Sequence, residues 1–260
     1  MQLSNPTLST AGTATVDVRL TPSHYVQPAG LGGFVEGLLA TCRTVFDVKG
    51  AITLGLDSPA AAGVLPVGRG VVEAGAVVEG EVIVEAGARV EAGAWVVGPV
   101  LICSGTVISR GALVRDHSVV GPGCRIGFGA EIARSLLAGD CFMKHPSFIG
   151  DSVIGRGVNV GALCSTTGLR CTRPVIEPAM DEITVTVDGQ RIGTGQTTFG
   201  AVIGDGVALP AGTVLSPGTL IGPGSSASSA RTCGSARTRQ PAPSPRRAPP
   251  CPATRSMPSP

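Results

Sequence analysis

Residues 72–132 run VEAGAV VEGEVI VEAGAR VEAGAW VVGPVL ICSGTV ISRGAL VRDHSV VGPGCR IGFGAE I, spaced here every six residues. Each block opens on Val or Ile: Val72, Val78, Val84, Val90, Val96, Ile102, Ile108, Val114, Val120, Ile126 and Ile132. A small or compact residue stands two places before most of them, including Ala76, Ala88, Ala94, Thr106, Ala112, Ser118, Cys124 and Ala130. A period of six suits neither a helix face nor the two-residue alternation of a meander. It suits a coil with three flat sides, each made of one short strand and one turn. The aliphatic residues then point into a narrow prism, and successive coils stack about 4.8 Å apart. Burying each Val or Ile contributes roughly 1.5–3 kcal/mol. The pattern breaks after Ile132, returns at Ile154 and Val160, and returns again at Ile203, Leu209, Leu215 and Ile221.

The composition agrees with such a core. Of 260 residues only 3% are aromatic, 43% are hydrophobic and 38 are Gly. The hydrophobic share excludes bulk disorder, and the lack of a strict three-residue glycine period excludes collagen. The net charge of +2 hides an asymmetry, because six Arg and no acid fall after residue 224. The first 224 residues carry 14 basic and 18 acidic groups, which argues against nucleic-acid binding. Glu73, Glu79, Glu85 and Glu91 follow aliphatic positions and read as a solvated column. The 18-residue uncharged run Ala92–Ser109 carries spaced Gly and Pro inside the repeat, so no membrane span is expected. The eight Cys form no C-x-x-C pair, and no basic-then-apolar leader opens the chain. Reduced thiols in a cytoplasmic protein are the expectation. With only His24, His117 and His145 available, and His24 outside the repeat, no metal site is expected.

Outward from the repeat, residues 1–65 form an N-terminal linker or cap, packed at the start or side of the prism. The spacing of Phe34, Leu38, Cys42, Val45 and Phe46 predicts a short helix over 33–46. Residues 66–224 form the repeat domain, interrupted by an insertion over 164–200. There Ile183-Thr-Val-Thr-Val, the turn pair Asp188-Gly189 and Gln190-Arg191-Ile192 predict a β-hairpin projecting as an arm. Over residues 225–260, Ser, Pro, Ala and Arg make up 28 of 36 and Val, Ile and Leu are absent, which predicts a disordered tail. The break falls in mid-coil after Ile221-Gly-Pro-Gly and reads as a frame-shifted or otherwise replaced C-terminus.

V72-E-A-G-A-V, V90-E-A-G-A-W and I126-G-F-G-A-E resemble the hexapeptide-repeat, left-handed parallel β-helix proteins. The resemblance implies an all-β fold and its left hand. The stretch M143-K-H-P-S-F-I-G-D-S-V-I-G-R-G-V-N-V-G-A-L is similar to a narrower group. It looks like the acetyltransferase half of bifunctional glucosamine-1-phosphate N-acetyltransferase / N-acetylglucosamine-1-phosphate uridylyltransferases. The likeness covers roughly residues 70–224 and is most specific over 131–161. It implies acetyl transfer from acetyl-CoA to an amino sugar phosphate by a homotrimer with sites between subunits.

In that resemblance His145 is the general base, Arg115 meets the sugar phosphate, and Asn159 and Phe148 line the acceptor site. Ala162 and Ala211 face the acetyl-CoA co-substrate. Ala133 stands where the resemblance places a phosphate-binding Lys, Phe148 replaces a Tyr, Gly168 an Asn, and Leu163 a Gly. A histidine suits proton removal near neutral pH, and tight coil corners offer backbone N–H groups to an oxyanion. Two other readings stay open. One is a non-catalytic β-helix that trimerises or regulates a sugar-phosphate nucleotidyltransferase. The other is an acyltransferase for another amino sugar.

Overall fold

The computed structural model describes residues 16–58, 70–170 and 181–225. Twenty-one short strands wind into a left-handed parallel β-helix of three faces, each a seven-stranded parallel sheet. Face one holds Val71–Val72, Arg89–Val90, Val107–Ile108, Arg125–Ile126, Phe142–Met143, Asn159–Val160 and Ala208–Leu209. Face two holds Val77–Glu79, Trp95–Val97, Leu113–Arg115, Ala130–Ala133, Ser147–Gly150, Ser165–Thr166 and Val214–Leu215. Face three holds Val82–Val84, Val100–Ile102, Ser118–Val120, Leu136–Leu137, Val153–Ile154, Ala201–Ile203 and Thr219–Ile221. Seven coils result, and the aliphatic columns fill the prism from Val90 to Leu215 with almost no exposure.

The repeat does not break after Ile132. Leu137, Met143 and Ile149 continue the inward columns, fully buried. The coil has shortened instead: Leu136 pairs with Val119 and Val153 with Leu136, a spacing of 17 where the earlier coils use 18. The lost residue lies at the corner between faces two and three. There the earlier coil turns through two left-handed residues, Asp116 (φ 54°) and His117 (φ 49°), and the later coils through one, Arg134 (φ 48°) or Asp151 (φ 51°). The first short corner puts Leu137, Met143 and Ile149 one place out of phase with a strict count of six, and the second moves Ile154 and Val160 one place further.

Face three differs from the others in its outward side. The residue before each inward aliphatic is also aliphatic there: Ile83, Leu101, Val119, Leu136, Val153, Val202 and Leu220. From Leu101 onward this column is buried beneath Leu20, Tyr25, Val35, Leu39, Val48, Ile52 and Leu56. The N-terminal segment therefore lies along the side of the prism. Its helix spans Gly33–Thr41 and stops at Cys42, short of the expected end. A 3-10 turn, Val45–Asp47, and a further helix, Val48–Asp57, follow. The latter carries Gly50, Gly55 and several β-branched residues, so its propensity is low and packing on face three holds it.

The chain leaves the sixth coil after Thr166 and rejoins it at Ala201. The hairpin forms, Thr184–Val187 against Gln190–Gly193 with its turn at Asp188-Gly189. It is not a projecting arm. Ile183 and Val185 are buried in the cluster formed by the N-terminal helices and face three. Arg19 Nη1 bonds Asp188 Oδ2 at 2.7 Å, and Gln196 Nε2 donates to the Phe46 carbonyl at 2.8 Å. Apart from Ser225, the expected tail lies outside the described residues.

Candidate functional site

The corner between faces one and two forms a straight edge. Its segments are 73–76, 91–94, 109–112, 127–130, 144–147, 161–164 and 210–213, stacked by bonds such as Gly111 N to Gly93 O at 2.8 Å and Gly212 N to Ala162 O at 2.7 Å. The second residue of each segment gives one column: Ala74, Ala92, Arg110, Phe128, His145, Ala162 and Ala211. His145, Ala162 and Ala211 are thus consecutive on this edge, one strand spacing, about 5 Å, apart.

The two ends of the edge treat their backbone donors differently. Glu73 Oε2 accepts from Ala92 N at 3.0 Å, and Glu91 Oε2 accepts from Arg110 N at 3.3 Å. Glu85 does the same for Ser104 N at another corner, at 2.8 Å. The glutamate column is therefore more than a solvated face, because three of its carboxylates cap the next coil. Further along, the capping position is Ser109, Gly127, Lys144 and Gly161. Among the described residues the N–H groups of His145, Ala162 and Ala211 have no protein acceptor.

His145 is exposed between Lys144 and Pro146. Large apolar side chains are exposed on the neighbouring coils, and the Phe128 ring leans back over Gly111. Phe128, one coil before, is 67% exposed and Leu163, one coil after, is 69% exposed. Phe142, exposed on face one, lies 5.2 Å below the Lys144 ammonium. Leu163 occupies the corner place that Gly75, Gly93, Gly111, Gly129 and Gly212 fill elsewhere, and like them it has positive φ, 59°. An exposed leucine held in the left-handed region is strained, and such strain gathers at functional positions.

The other sequence-predicted residues lie on both sides of this edge. Asn159 is exposed on face one, in register with Phe142. Phe148 is half-buried on face two, in register with Glu131 and Ser165. Its ring leans over Gly150, where a Cβ would come within 2.6 Å of the ring. Arg115 sits at the far side of face two, in register with Ala133, which is fully buried. It is separated from His145 by two coils and a face-width, about 10–15 Å across. Gly168 packs onto Asp151, with room for a Cβ only 3.0 Å from Oδ2.

Arg115 is not a free cation. Its Nε and Nη2 donate to Glu131 Oε1 at 3.0 and 2.7 Å, and Nη1 pairs with Asp116. Burial opposes its charge, but the bonds to Glu131 and Asp116 outweigh burial and raise its pKa above the ordinary value. The chain of charges continues beyond it. Arg134 reaches Asp116 at 3.3 Å and grips Asp151 through two bonds of 2.9 Å. Lys49, from the Val48–Asp57 helix, meets Asp151 at 3.1 Å and the Thr198 carbonyl at 2.6 Å. Burial pushes the Asp151 pKa up, yet the Arg134 and Lys49 partners prevail and hold it below 3.8. Sequence reading missed this series. Its signal is the alternation Asp116, Arg134, Asp151 at coil spacing, all at one corner. His117 turns the same corner and bonds Asp57 Oδ1 at 2.8 Å.

Comparison with known proteins places these features in context. A family model described as the GMPPB C-terminal domain matches residues 96–222. The bifunctional protein GlmU of Bordetella parapertussis is 32% identical over 190 residues, 63% of this chain and 37% of that protein. GlmU of Thermodesulfovibrio yellowstonii is 36% identical over 95 residues, 35% of this chain and 20% of that protein. The bifunctional sugar-1-phosphate nucleotidylyltransferase/acetyltransferase of Sulfurisphaera tokodaii is 32% identical over 135 residues, 52% of this chain and 32% of that protein. The chain thus spans between a fifth and just over a third of the length of these relatives.

Proposed function

We propose that this chain, a hexapeptide-repeat β-helix similar to the acetyltransferase domain of the GlmU proteins, transfers an acetyl group from acetyl-CoA to the amine of an amino sugar. The observation that carries this reading is the row of unpartnered backbone N–H groups at His145, Ala162 and Ala211 beside an exposed histidine. Such an edge fits the co-substrate: Gly161, Ala162, Ala211 and Gly212 are small, so a thioester arm approaches the backbone closely. Bound there, acetyl-CoA supplies an activated carbonyl. His145 takes the proton from the attacking amine. The Ala162 N–H donates to the oxygen that gains charge, in a place where no carboxylate competes for it. Asn159 and Phe148 hold the sugar on either side of the edge. Glucosamine 1-phosphate is the acceptor that the resemblance implies, with Arg115 toward its phosphate.

The proposed assembly is a homotrimer, with each site completed between subunits. Face three is covered by the chain's own helices, while faces one and two expose Val71, Val77, Trp95, Phe142 and Val214. The proposed setting is cytoplasmic, which suits the five cysteines among the described residues, 42, 103, 124, 141 and 164, all unpaired. Among the described residues no helix is long and apolar enough to cross a membrane.

Thiol release from acetyl-CoA, followed with purified protein and a panel of amino sugars, tests the activity. Amine-dependent release supports the reading. Absence of release, with no calorimetric heat on adding acetyl-CoA, returns the chain to a non-catalytic scaffold. Light scattering at micromolar concentration tests the trimer, which a monomeric mass would overturn.

A further inference from the structure

Five arginines, Arg19, Arg89, Arg115, Arg134 and Arg156, each lie within 3.3 Å of a carboxylate. Arg170 and Arg191 do not. Arg170, half-buried, leaves the sixth coil just past the corner where Gly168 meets Asp151. Arg191, exposed, lies on the second strand of the hairpin, in register with Thr186. Because Ile183, Val185 and Ile192 face the apolar cluster, strand alternation turns Thr184 and Arg191 to the hairpin's outer side. Both arginines converge there on one hydroxyl. Arg170 Nη2 donates to Thr184 Oγ1 at 3.0 Å and Arg191 Nη2 at 3.1 Å. The two nitrogens thus lie within about 6 Å of each other, and like charges so close repel. Among the described residues neither guanidinium has a carboxylate within ion-pair reach. Glu182 accepts the Gly195 N–H at 2.6 Å instead, and Asp188 is taken by Arg19 at 2.7 Å.

We infer that Arg170, Thr184 and Arg191 form a second binding site, which takes a phosphate group, free or as a monoester. It lies across face two from the His145 edge and does not depend on the acyltransferase reading. Each guanidinium has five N–H donors and spends one on Thr184. The threonine hydroxyl that accepts from both still has its own hydrogen to give. Three donor groups and two positive charges therefore meet at one place with no acid among them. A phosphate dianion supplies what this cluster lacks. Its two charges offset the guanidinium pair, and its three free oxygens accept from two planar forks and one hydroxyl. A carboxylate brings one charge and two oxygens, and leaves part of the cluster unmet.

Calorimetric titration and thermal melting of the full chain test this, with inorganic phosphate and glucose 1-phosphate as probes. The latter has no amine, so it reports binding without acetyl transfer. The parent should bind at least one probe, and Arg170→Gln and Arg191→Gln should each weaken that binding about tenfold or more. In phosphate-free buffer Arg191→Gln should melt no lower than the parent, because it removes a repulsion. At tenfold excess of probe over Kd the parent's melting temperature should rise by roughly 3 °C and the variant's should stay. A response to inorganic phosphate assigns the site to the phosphate group itself. A response to glucose 1-phosphate alone assigns it to a monoester, and either supports the inference. Should Arg191→Gln not melt cooperatively, Arg170→Gln supplies the same reading. No heat and no rise with either probe in the parent overturns the inference, as does binding that survives both substitutions undiminished. A variant that melts lower without phosphate and gains as much as the parent with it also overturns it, because the arginines then only brace the hairpin.

Discussion

The edge between faces one and two has two halves built on the same backbone. In the early coils, Glu73 and Glu91 close off the N–H of Ala92 and Arg110. In the late coils, Lys144 and Gly161 hold the capping place and the N–H groups of Ala162 and Ala211 stay open. The stacked corner produces a donor in every coil, whatever the side chains are. The sequence then decides, coil by coil, whether that donor is neutralised by a carboxylate or left for a ligand. A site on this fold is made as much by removing caps as by adding a histidine.

The sharpest way to break the comparison is at the open half. His145→Ala should lower turnover by about 10²–10⁴-fold while leaving acetyl-CoA affinity nearly unchanged, as read by steady-state rates and calorimetry. Unchanged turnover would make His145 a plain corner residue.

Lys144→Glu converts the open half into the closed one. By the register of Glu73 with Ala92, the new carboxylate should cap Ala162 N–H. Loss of that donor should cost about 10²–10³-fold in kcat, with circular dichroism unaltered and melting unchanged or slightly raised by the added cap. A variant as active as the parent would show that the Ala162 N–H takes no part.

The opposite edge of face two sharpens the contrast, because its charges are fully partnered. Asp151 is held below its ordinary pKa in the folded state, so its contribution is present above the unfolded value of 3.8. That contribution is lost as pH falls below it, through the folded value. Denaturation at neutral pH should show Asp151→Asn less stable by about 1–3 kcal/mol, since Arg134 and Lys49 lose an ionised acceptor. Between neutral pH and pH 3 the difference between parent and variant should shrink. A constant difference would show that the charge plays no part.

The smallest effect belongs to the closed half. Glu73→Gln should reduce stability by about 0.5–1 kcal/mol, and Lys144→Gln should cost less than that, because only the first disturbs a cap. Equal effects in chemical denaturation would mean that the carboxylate cap contributes nothing.

Legibility in the sequence followed the same division between regular and altered coils. The columns from Val72 to Ile132 were readable because each coil keeps a spacing of 18. Leu137, Met143 and Ile149 were not, since one corner residue is missing and a fixed count drifts out of phase. The hairpin's turn was local and visible. Its burial depended on contacts with residues more than a hundred positions away, such as Phe46 with Gln196. His145 stood out through its neighbours in sequence. The charges around Arg115 come from residues brought together only by stacking, and the helix that supplies Lys49 has weak intrinsic propensity. The aliphatic doublets of face three, Leu101-Ile102 and Val119-Val120 among them, were in plain view as a sign that a third layer covers that side.

That covering layer changes how the molecule comes apart. A stack whose members touch only their neighbours opens one member at a time from either end, much like a zipper. Here a single helical splint bears on a column running from Leu101 in the second coil to Leu220 in the seventh. No coil along that span loosens without exposing part of the same splint, so many independent steps become a shared event. Cooperativity in this solenoid therefore comes less from the repeat than from the segments that do not repeat.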